Sequence, residues 1–428
     1  MKLKFIYALA IAGALSTFTS CSDDDPAPGS SLEQKTYSSD DLTLNFNGAP
    51  LIGKTVTFTP GNDGKGTVTL AGESLDPSQI LDMITRAAAD DQPTRTIPTA
   101  GVLPGSASVS IPVELKGDAN NCTFEGTNET EYCTYSYSGS VTADNFEFNL
   151  SDVKLKNTSL AGTWTVPALD NNFFNIARVL WKGENTNTNI ELFPGFSTKM
   201  PIETIVRFAL VMPMFPAEEG ADPTISALEM LNMVLKSVTF GEDGSLTAEY
   251  MDTKNESLSI VKAPTGLAQY VIDGDGSIRL FLNPAAIIAN SMVNTKAKTK
   301  AADLSILIEG LMDNLMPMLT EGIPLHYGPA IASEDTQYGE DGISIIGGTP
   351  TYSENATAFY LDTETLLPIL NAFLPILQDQ EFIDQIVEAA SKDPSMGSMA
   401  SSLGDILNSF PEILENTTLI EVGINLKK

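Results

Sequence analysis

The chain is poor in the residues from which most active sites are built. It holds one histidine, three cysteines and two tryptophans in 428 residues, and 24 lysines and arginines stand against 55 aspartates and glutamates. A single imidazole, His326, leaves too few nitrogen ligands for an ordinary zinc site, and a hydrolase triad would have to be oriented on that one ring. No Gly-x-Ser-x-Gly elbow, His-Glu-x-x-His helix or phosphate loop accompanies it, so His326, in Ile323-Pro-Leu-His-Tyr327, reads as a surface strand residue. The shortage of cations gives a formal charge of −31 and excludes nucleic acid as a partner, because that binding rests on basic side chains at phosphates. Charged residues are only 18% of the chain, below the usual ~25%, and Ser, Thr, Asn and Gly fill the difference. No apolar run is long enough to span a bilayer as a helix, which takes about 20 residues.

What the chain has begins at its start. Lys2 and Lys4 precede an apolar run from Phe5 to Leu15, and Phe18-Thr-Ser-Cys21 leads into Ser22-Asp-Asp-Asp25. A charged start, an apolar stretch of about ten residues and small residues before a cut describe a secretory signal. The cut would fall before Cys21, making it the first residue of a mature lipoprotein acylated on sulfur and amine, since two or more acyl chains anchor stably where one does not. An ordinary signal ending near Ser20, or a core thiol, is the alternative. Residues 1–20 are read as signal peptide and residues 21–36, acidic and then Pro-Ala-Pro-Gly-Ser-Ser, as a flexible tether. The expected place is the outer membrane, at its outer surface, with the lipid on Cys21 as the membrane contact.

Cys122 and Cys133 remain. Disulfides persist in exported chains, and Gly126 and Asn128 between the two suit a hairpin closed by a bridge. Two unpaired thiols, or a metal site lacking further ligands, are the alternatives.

Residues 37–157 alternate as strands do: Leu42, Leu44, Phe46; Val56, Phe58; Val68, Leu70; Val109, Ile111, Val113; Tyr135, Tyr137; Phe146, Phe148, Leu150. Pro60 to Gly66 supplies a turn, and Pro112 marks an edge or a bulge. One helix is expected where Ile80, Leu81, Ile84 and Ala88 share a face, followed by a loop over residues 90–104. Residues 158–428 mix strands with helices. Hairpins are expected at Phe240 to Leu246 and Tyr270 to Ile278, and strands at 343–346, 358–361 and 418–426. Helices are expected near 173–180, 202–208, 225–234, 284–292, 304–319, 365–390 and 403–414. The fold class is therefore mainly β with inserted helices, an α+β chain.

Leu160-Ala-Gly-Thr-Trp164 resembles the Gly-x-Trp opening strand of lipocalin-like, or calycin, barrels, and Asn45-Phe-Asn-Gly48 with Thr55-Val-Thr-Phe58 and Thr67-Val-Thr-Leu70 resembles the calycin-like domains of Bacteroidetes lipoproteins. With Cys-Ser-Asp-Asp-Asp, which is similar to the export tag of their surface-exposed members, the layout resembles a family of Bacteroides surface lipoproteins over nearly the whole chain. A plain solvated tether explains the same aspartates. The resemblance implies two antiparallel barrel units, a calycin-like domain at 37–157 and a helix-decorated, lipocalin-like domain at 158–428.

Asp273-Gly-Asp-Gly-Ser277 mimics the start of a calcium loop, but Ile278 and Pro284 stand where Gly and a bidentate Glu belong, so it reads as a hairpin turn and no metal site is expected. Trp164 suits a core plug, and Trp181, beside Lys182 and Gly183, is the candidate exposed contact. Met230, Met233, Met312 and Met316 lie in leucine-rich helices, where they pack the core or line an adaptable groove. The expected activity is non-enzymatic and cofactor-free: capture of a small apolar or amphiphilic ligand at these methionines and Trp181. A glycan-binding or adhesive surface module is the alternative, favoured by exposure of Trp181 with Tyr135 or Tyr137. A glycoside hydrolase, needing two facing carboxylates, stands third.

Overall fold

A computed structural model describes residues 27–75, 96–169, 175–193, 195–216, 223–252, 259–291, 317–340, 345–392 and 400–428. Strand makes up 52% and helix 23%, so the chain is mainly β with inserted helices.

The first unit comprises β1 (Lys35–Ser38), β2 (Leu42–Phe46), β3 (Ala49–Pro50), β4 (Lys54–Pro60), β5 (Lys65–Gly72), β6 (Ser74–Leu75), β7 (Ile97–Pro98), β8 (Ser108–Glu114), β9 (Lys116–Gly117), β10 (Cys122–Glu129), β11 (Cys133–Val141) and β12 (Phe146–Leu155). They form a sheet ordered β1-β4-β5-β8, a second ordered β3-β2-β12-β11-β10-β9, and a small β6-β7 ribbon. The period-two pattern gives each sheet one apolar face. Val56, Phe58, Val68, Leu70 and Ile111 of the first and Phe148 of the second are fully buried. Ring centres of Phe58 and Tyr37 lie 6.3 and 5.1 Å from Phe146, so the two sheets share one interior. Each such side chain contributes roughly 1.5–3 kcal/mol by leaving water. Asp63 and Gly64 take left-handed backbone in the β4–β5 turn, a conformation Gly accepts without a Cβ clash. Pro112 lies on β8, an edge strand, where its missing N–H breaks no inner ladder.

The expected tether ends earlier than its composition suggests. Leu32 is buried, and Gly29 and Ser31 N–H donate to the carbonyls of Asp118 and Ala119. The helix expected around Ile80 to Ala88 falls outside the described residues.

The second unit comprises β13 (Gly162–Thr165), β14 (Ala177–Gly183), β15 (Asn187–Phe193), β16 (Phe196–Pro201), α1 (Ile202–Val211), β17 (Pro213–Pro216), β18 (Pro223–Ser226), α2 (Ala227–Val234), β19 (Leu235–Phe240), β20 (Ser245–Asp252), β21 (Ser259–Lys262), β22 (Ala268–Gly274), β23 (Ser277–Leu282), α3 (Pro284–Ser291), β24 (Ile323–Tyr338), β25 (Ile345–Leu361), α4 (Thr363–Ala372), α5 (Leu374–Leu377), α6 (Gln380–Lys392), α7 (Ala400–Glu415) and β26 (Thr417–Leu426). One antiparallel sheet runs β13-β19-β20-β22-β23-β24-β25-β26-β14, with β21 branching from β20. Both expected hairpins form, pairing Phe240 with Leu246 and Ile272 with Ile278. Ala177 to Leu180, expected as helix, are strand: they pair with Ile424 to Glu421 of β26 and pack on both faces, a tertiary demand that overrides a helical-looking apolar spacing. Helix α2 starts at a capping box in which Ser226 Oγ accepts from Glu229 N–H and Glu229 Oε2 accepts from Ser226 N–H.

None of these sheets closes into a barrel, so the expected pair of barrel units is unconfirmed. The first unit keeps its sheets separate, and the large sheet's nearest approach to closure is one bridge between Thr165 and Lys427. Trp164 plugs the interior as its position suggests: its indole N–H donates to Leu160 O at 2.8 Å, and Phe359 meets it edge-on at 5.4 Å. One apolar cluster runs from Tyr37 and Phe58 through Trp164, Tyr270 and Leu426, so the two units share a continuous core.

Candidate functional site

The residues proposed from sequence do not converge. Trp181 is core: it is 5% exposed, its indole N–H donates to Thr417 Oγ1 at 2.7 Å, and Phe410 packs edge-on at 5.9 Å. Met230 and Met233 lie on α2 but are 36% and 46% exposed, because Leu228 and Leu231 take the face that packs inward. Met312, Met316 and Cys21 lie outside the described residues. Tyr135 and Tyr137 are buried in the first unit, so the tyrosine and tryptophan platform weighed for a glycan module does not form.

Cys122 and Cys133 are both buried and unbonded, which corrects the expected bridge. The hairpin turns at Thr130 to Tyr132, not at Gly126, so Cys122 pairs with Val141 and Cys133 with Leu155. At about 3.3 Å per residue, the two cysteines lie at opposite ends of the hairpin, far beyond the ~7 Å that a disulfide allows. The Asp273 turn is a hairpin brace: Ser277 Oγ and Arg279 Nε donate to its two oxygens at 2.7 and 2.6 Å. Burial pushes the Asp273 carboxyl up, but these two donors and the Arg279 charge outweigh it and hold the group low. Among the described residues no cluster of His, Cys, Asp or Glu is arranged to hold a metal.

Two buried carboxylates do meet. Lys182 of β14 donates to Glu203 of α1 at 2.9 Å and to Glu334 of β24 at 2.8 Å, and Arg207 pairs with both acids. Burial pushes Glu203 up against the pull of Arg207 and Lys182, whereas at Glu334 the same burial is outweighed by donors from those two cations and the carboxyl sits low. Split carboxyl affinities mark acid and base pairs in glycosidases. Here, however, the side chains are 3% and 7% exposed and line none of the described cavities. They join helix, strand and hairpin.

A second constellation is open. Strand register sets Arg178, Gly423, Tyr360, His326 and Ser277 in one row across β14, β26, β25, β24 and β23. The Arg178 guanidinium lies 4.2 Å from the Tyr360 ring centre, and the His326 ring stacks on the same tyrosine at 5.7 Å. Gly423 makes room for the stack, since a Cβ there would sit 2.5 Å from Tyr360 Cβ. Beyond His326 the row opens into a cleft of about 280 Å³ lined by Arg279, Met318, Glu321, Pro324, His326, Asp362 and Glu364. Asp362 Oδ2 lies 3.1 Å from His326 Nε2, while its Oδ1 accepts from Thr365 N–H at 3.1 Å and caps α4. One carboxylate thereby fixes both the imidazole and the helix start. Arg279, 39% exposed, reaches the cleft from β23 and donates to Glu321 O at 3.2 Å. Sequence flagged His326 but not its partners, because β23, β24 and the start of α4 meet only through the sheet.

Other concavities lie on the first unit and between the units. A shallow one of about 330 Å³ on the outer face of β10–β12 is walled by Thr123, Glu125, Ser138, Ser140, Glu147 and Asn149. The most enclosed one, between the units at Asn47, Leu51 and Asp243, holds about 80 Å³. Among the described residues no helix is long and apolar enough to cross a membrane. No protein-family model matches the chain, and no curated protein or solved structure matches it either.

Proposed function

We propose that the chain is a lipid-anchored, surface-exposed binding protein that takes a polar, glycan-type ligand in the cleft beside His326. The observation that carries this reading is the convergence of Arg279, His326, Asp362 and Glu364, with Met318 and Pro324, on one open cleft of about 280 Å³. That size is just under the ~300 Å³ at which small-molecule sites begin, and suits one sugar ring. A sugar needs planar donors and acceptors for its hydroxyls and an apolar wall for its C–H face, and the cleft offers both. Binding there needs no cofactor and no turnover. The signal-like start ending at Cys21 supports the outer membrane as its place. Gly162-Thr-Trp164 within β13 and the Thr165–Lys427 bridge support kinship of the second unit with lipocalin-like barrels.

An apolar partner is a second reading, favoured by a specific surface. Phe208 and Val211 of α1 and Met230 and Met233 of α2, two helices in contact, are all exposed. The expected apolar cargo would then be met on this face instead of inside a cavity.

Saturation-transfer NMR with neutral, amino and acidic monosaccharides tests the main reading. Transfer to one class that is lost in Arg279→Ala and Asp362→Asn supports it. Absence of transfer, or transfer indifferent to both substitutions, overturns it.

A further inference from the structure

The described chain enters the fold at one end of the first unit. Gly29 N–H donates to Asp118 O at 2.9 Å and Ser31 N–H to Ala119 O at 3.1 Å, while Leu32 is buried. Gly29 has a φ of +74°, and a Cβ there would lie 2.6 Å from Leu115 Cδ1, so the entry is fitted against the unit. Register collects three turns at this end. These are the β4–β5 turn at Asn62 and Asp63, the β9–β10 turn at Asp118 to Asn121, and the β11–β12 turn at Thr142 to Asn145.

The opposite end carries the second unit. There Asn47 Nδ2 donates to Asp243 Oδ2 at 3.0 Å, Leu155 N–H to Glu242 O at 2.8 Å and Asn283 Nδ2 to Ile52 O at 2.9 Å. The eight residues of β5 and the ten of β12 run between the two ends, which at ~3.3 Å per residue sets them about 25 Å apart.

We infer that the turn end of the first unit lies against lipid head groups and that the unit acts as a pedestal, holding the large sheet and its cleft away from the membrane. The inference rests on the acylation of Cys21. Ala27 lies only six residue steps beyond Cys21, and a chain of that length reaches at most ~21 Å. The pinned entry allows no swing beyond that reach. Asp63, Asp118 and Asp144 line this end with Lys35, Lys65 and Lys116 among them, so it carries both signs of charge in balance and gains no net attraction to anionic head groups. The apposed surface is therefore zwitterionic lipid, held by the acyl chains alone.

Fluorophores on Asn120→Cys, at the turn end, and on Glu131→Cys, at the other, test the inference in the full acylated chain. Both positions are exposed, and the native thiols are buried. In phosphatidylcholine vesicles doped with an acceptor lipid, the Asn120 label is expected to transfer energy several-fold more strongly than the Glu131 label. A twenty-residue Gly-Ser insertion after Pro26 is expected to erase the difference. Equal or reversed transfer on a chain whose mass shows acylation overturns the orientation while leaving the anchor intact. A mass without acyl groups, or vesicle binding that survives Cys21→Ser, overturns the anchor and the orientation with it.

Discussion

Glu203 and Glu334, one on a helix and one on the outer half of a long strand, share a single ammonium: Lys182 Nζ donates to the first at 2.9 Å and to the second at 2.8 Å. Arg207 pairs with both, so two acids and two bases neutralise each other where neither acid reaches water. Such a network adds little over an apolar core but is costly to break, because the survivors are left buried and unpaired. Glu334→Gln is therefore expected to cost about 3–5 kcal/mol in urea unfolding at neutral pH. The pH dependence has a sign. Donors to Glu334 hold its carboxyl below the ordinary 4.5, so its stabilisation is present above that value and is lost as pH falls through the lower folded value. The gap between wild type and variant should close in acid.

Lys54 poses the opposite case. It is 4% exposed at the seam between the units, with Ala100 O accepting from Nζ at 2.8 Å, and burial lowers its pKa from 10.5 to about 8. Below pH 8 both folded and unfolded chains hold the proton, and the folded state bears a cost of roughly 3 kcal/mol. Between 8 and 10.5 the folded chain has released the proton while the unfolded chain keeps it, so this group makes stability rise with pH. Lys54→Met is expected to be more stable than wild type at pH 7, with the advantage shrinking by pH 10. Urea unfolding at pH 7, 8.5 and 10 checks it.

Much of the first unit was legible because period two is a physical requirement of one-sided sheets: Val56, Phe58, Val68 and Leu70 point inward as their spacing demands. The Phe240–Leu246 and Tyr270–Ile278 hairpins of the second unit were legible for similarly local reasons. What was not legible depends on pairing at a distance. Nothing near Cys122 tells that β10 runs past Gly126 before turning, and nothing near Ala177 tells that β26, far along the chain, recruits it as a strand. The cleft shares that difficulty. His326 stood out by being alone, whereas Arg279 and Asp362 are ordinary charged residues until β23, β24 and α4 bring them together.

The cysteines give a direct check on that register. Cys122 and Cys133 are each fully buried, and burial raises both thiols, at Cys122 aided by the Asp118 charge and at Cys133 partly offset by Thr130 and Lys156. A chain beginning after Cys21 is expected to show no titratable thiol when native and two when unfolded, without reductant. Peptide mapping that finds a Cys122–Cys133 bridge would sink the register.

Two tyrosines of the first unit make a matched pair. Tyr37 OH donates to Thr142 O at 2.6 Å, whereas Tyr135 OH is buried with no hydrogen-bond partner among the described residues, and burial pushes it up to about 12. A buried hydroxyl without a partner costs about 1–3 kcal/mol, and one that is bonded contributes about 1 kcal/mol. Tyr135→Phe is therefore expected to stabilise the fold by about 1 kcal/mol and Tyr37→Phe to destabilise it by a similar amount. Opposite shifts in the urea midpoint, with unchanged slope, are the expected result, because the aromatic packing is retained in both. If Tyr135→Phe destabilises as much as Tyr37→Phe, the hydroxyl has a partner and the interior of the first unit is wetter than its packing implies.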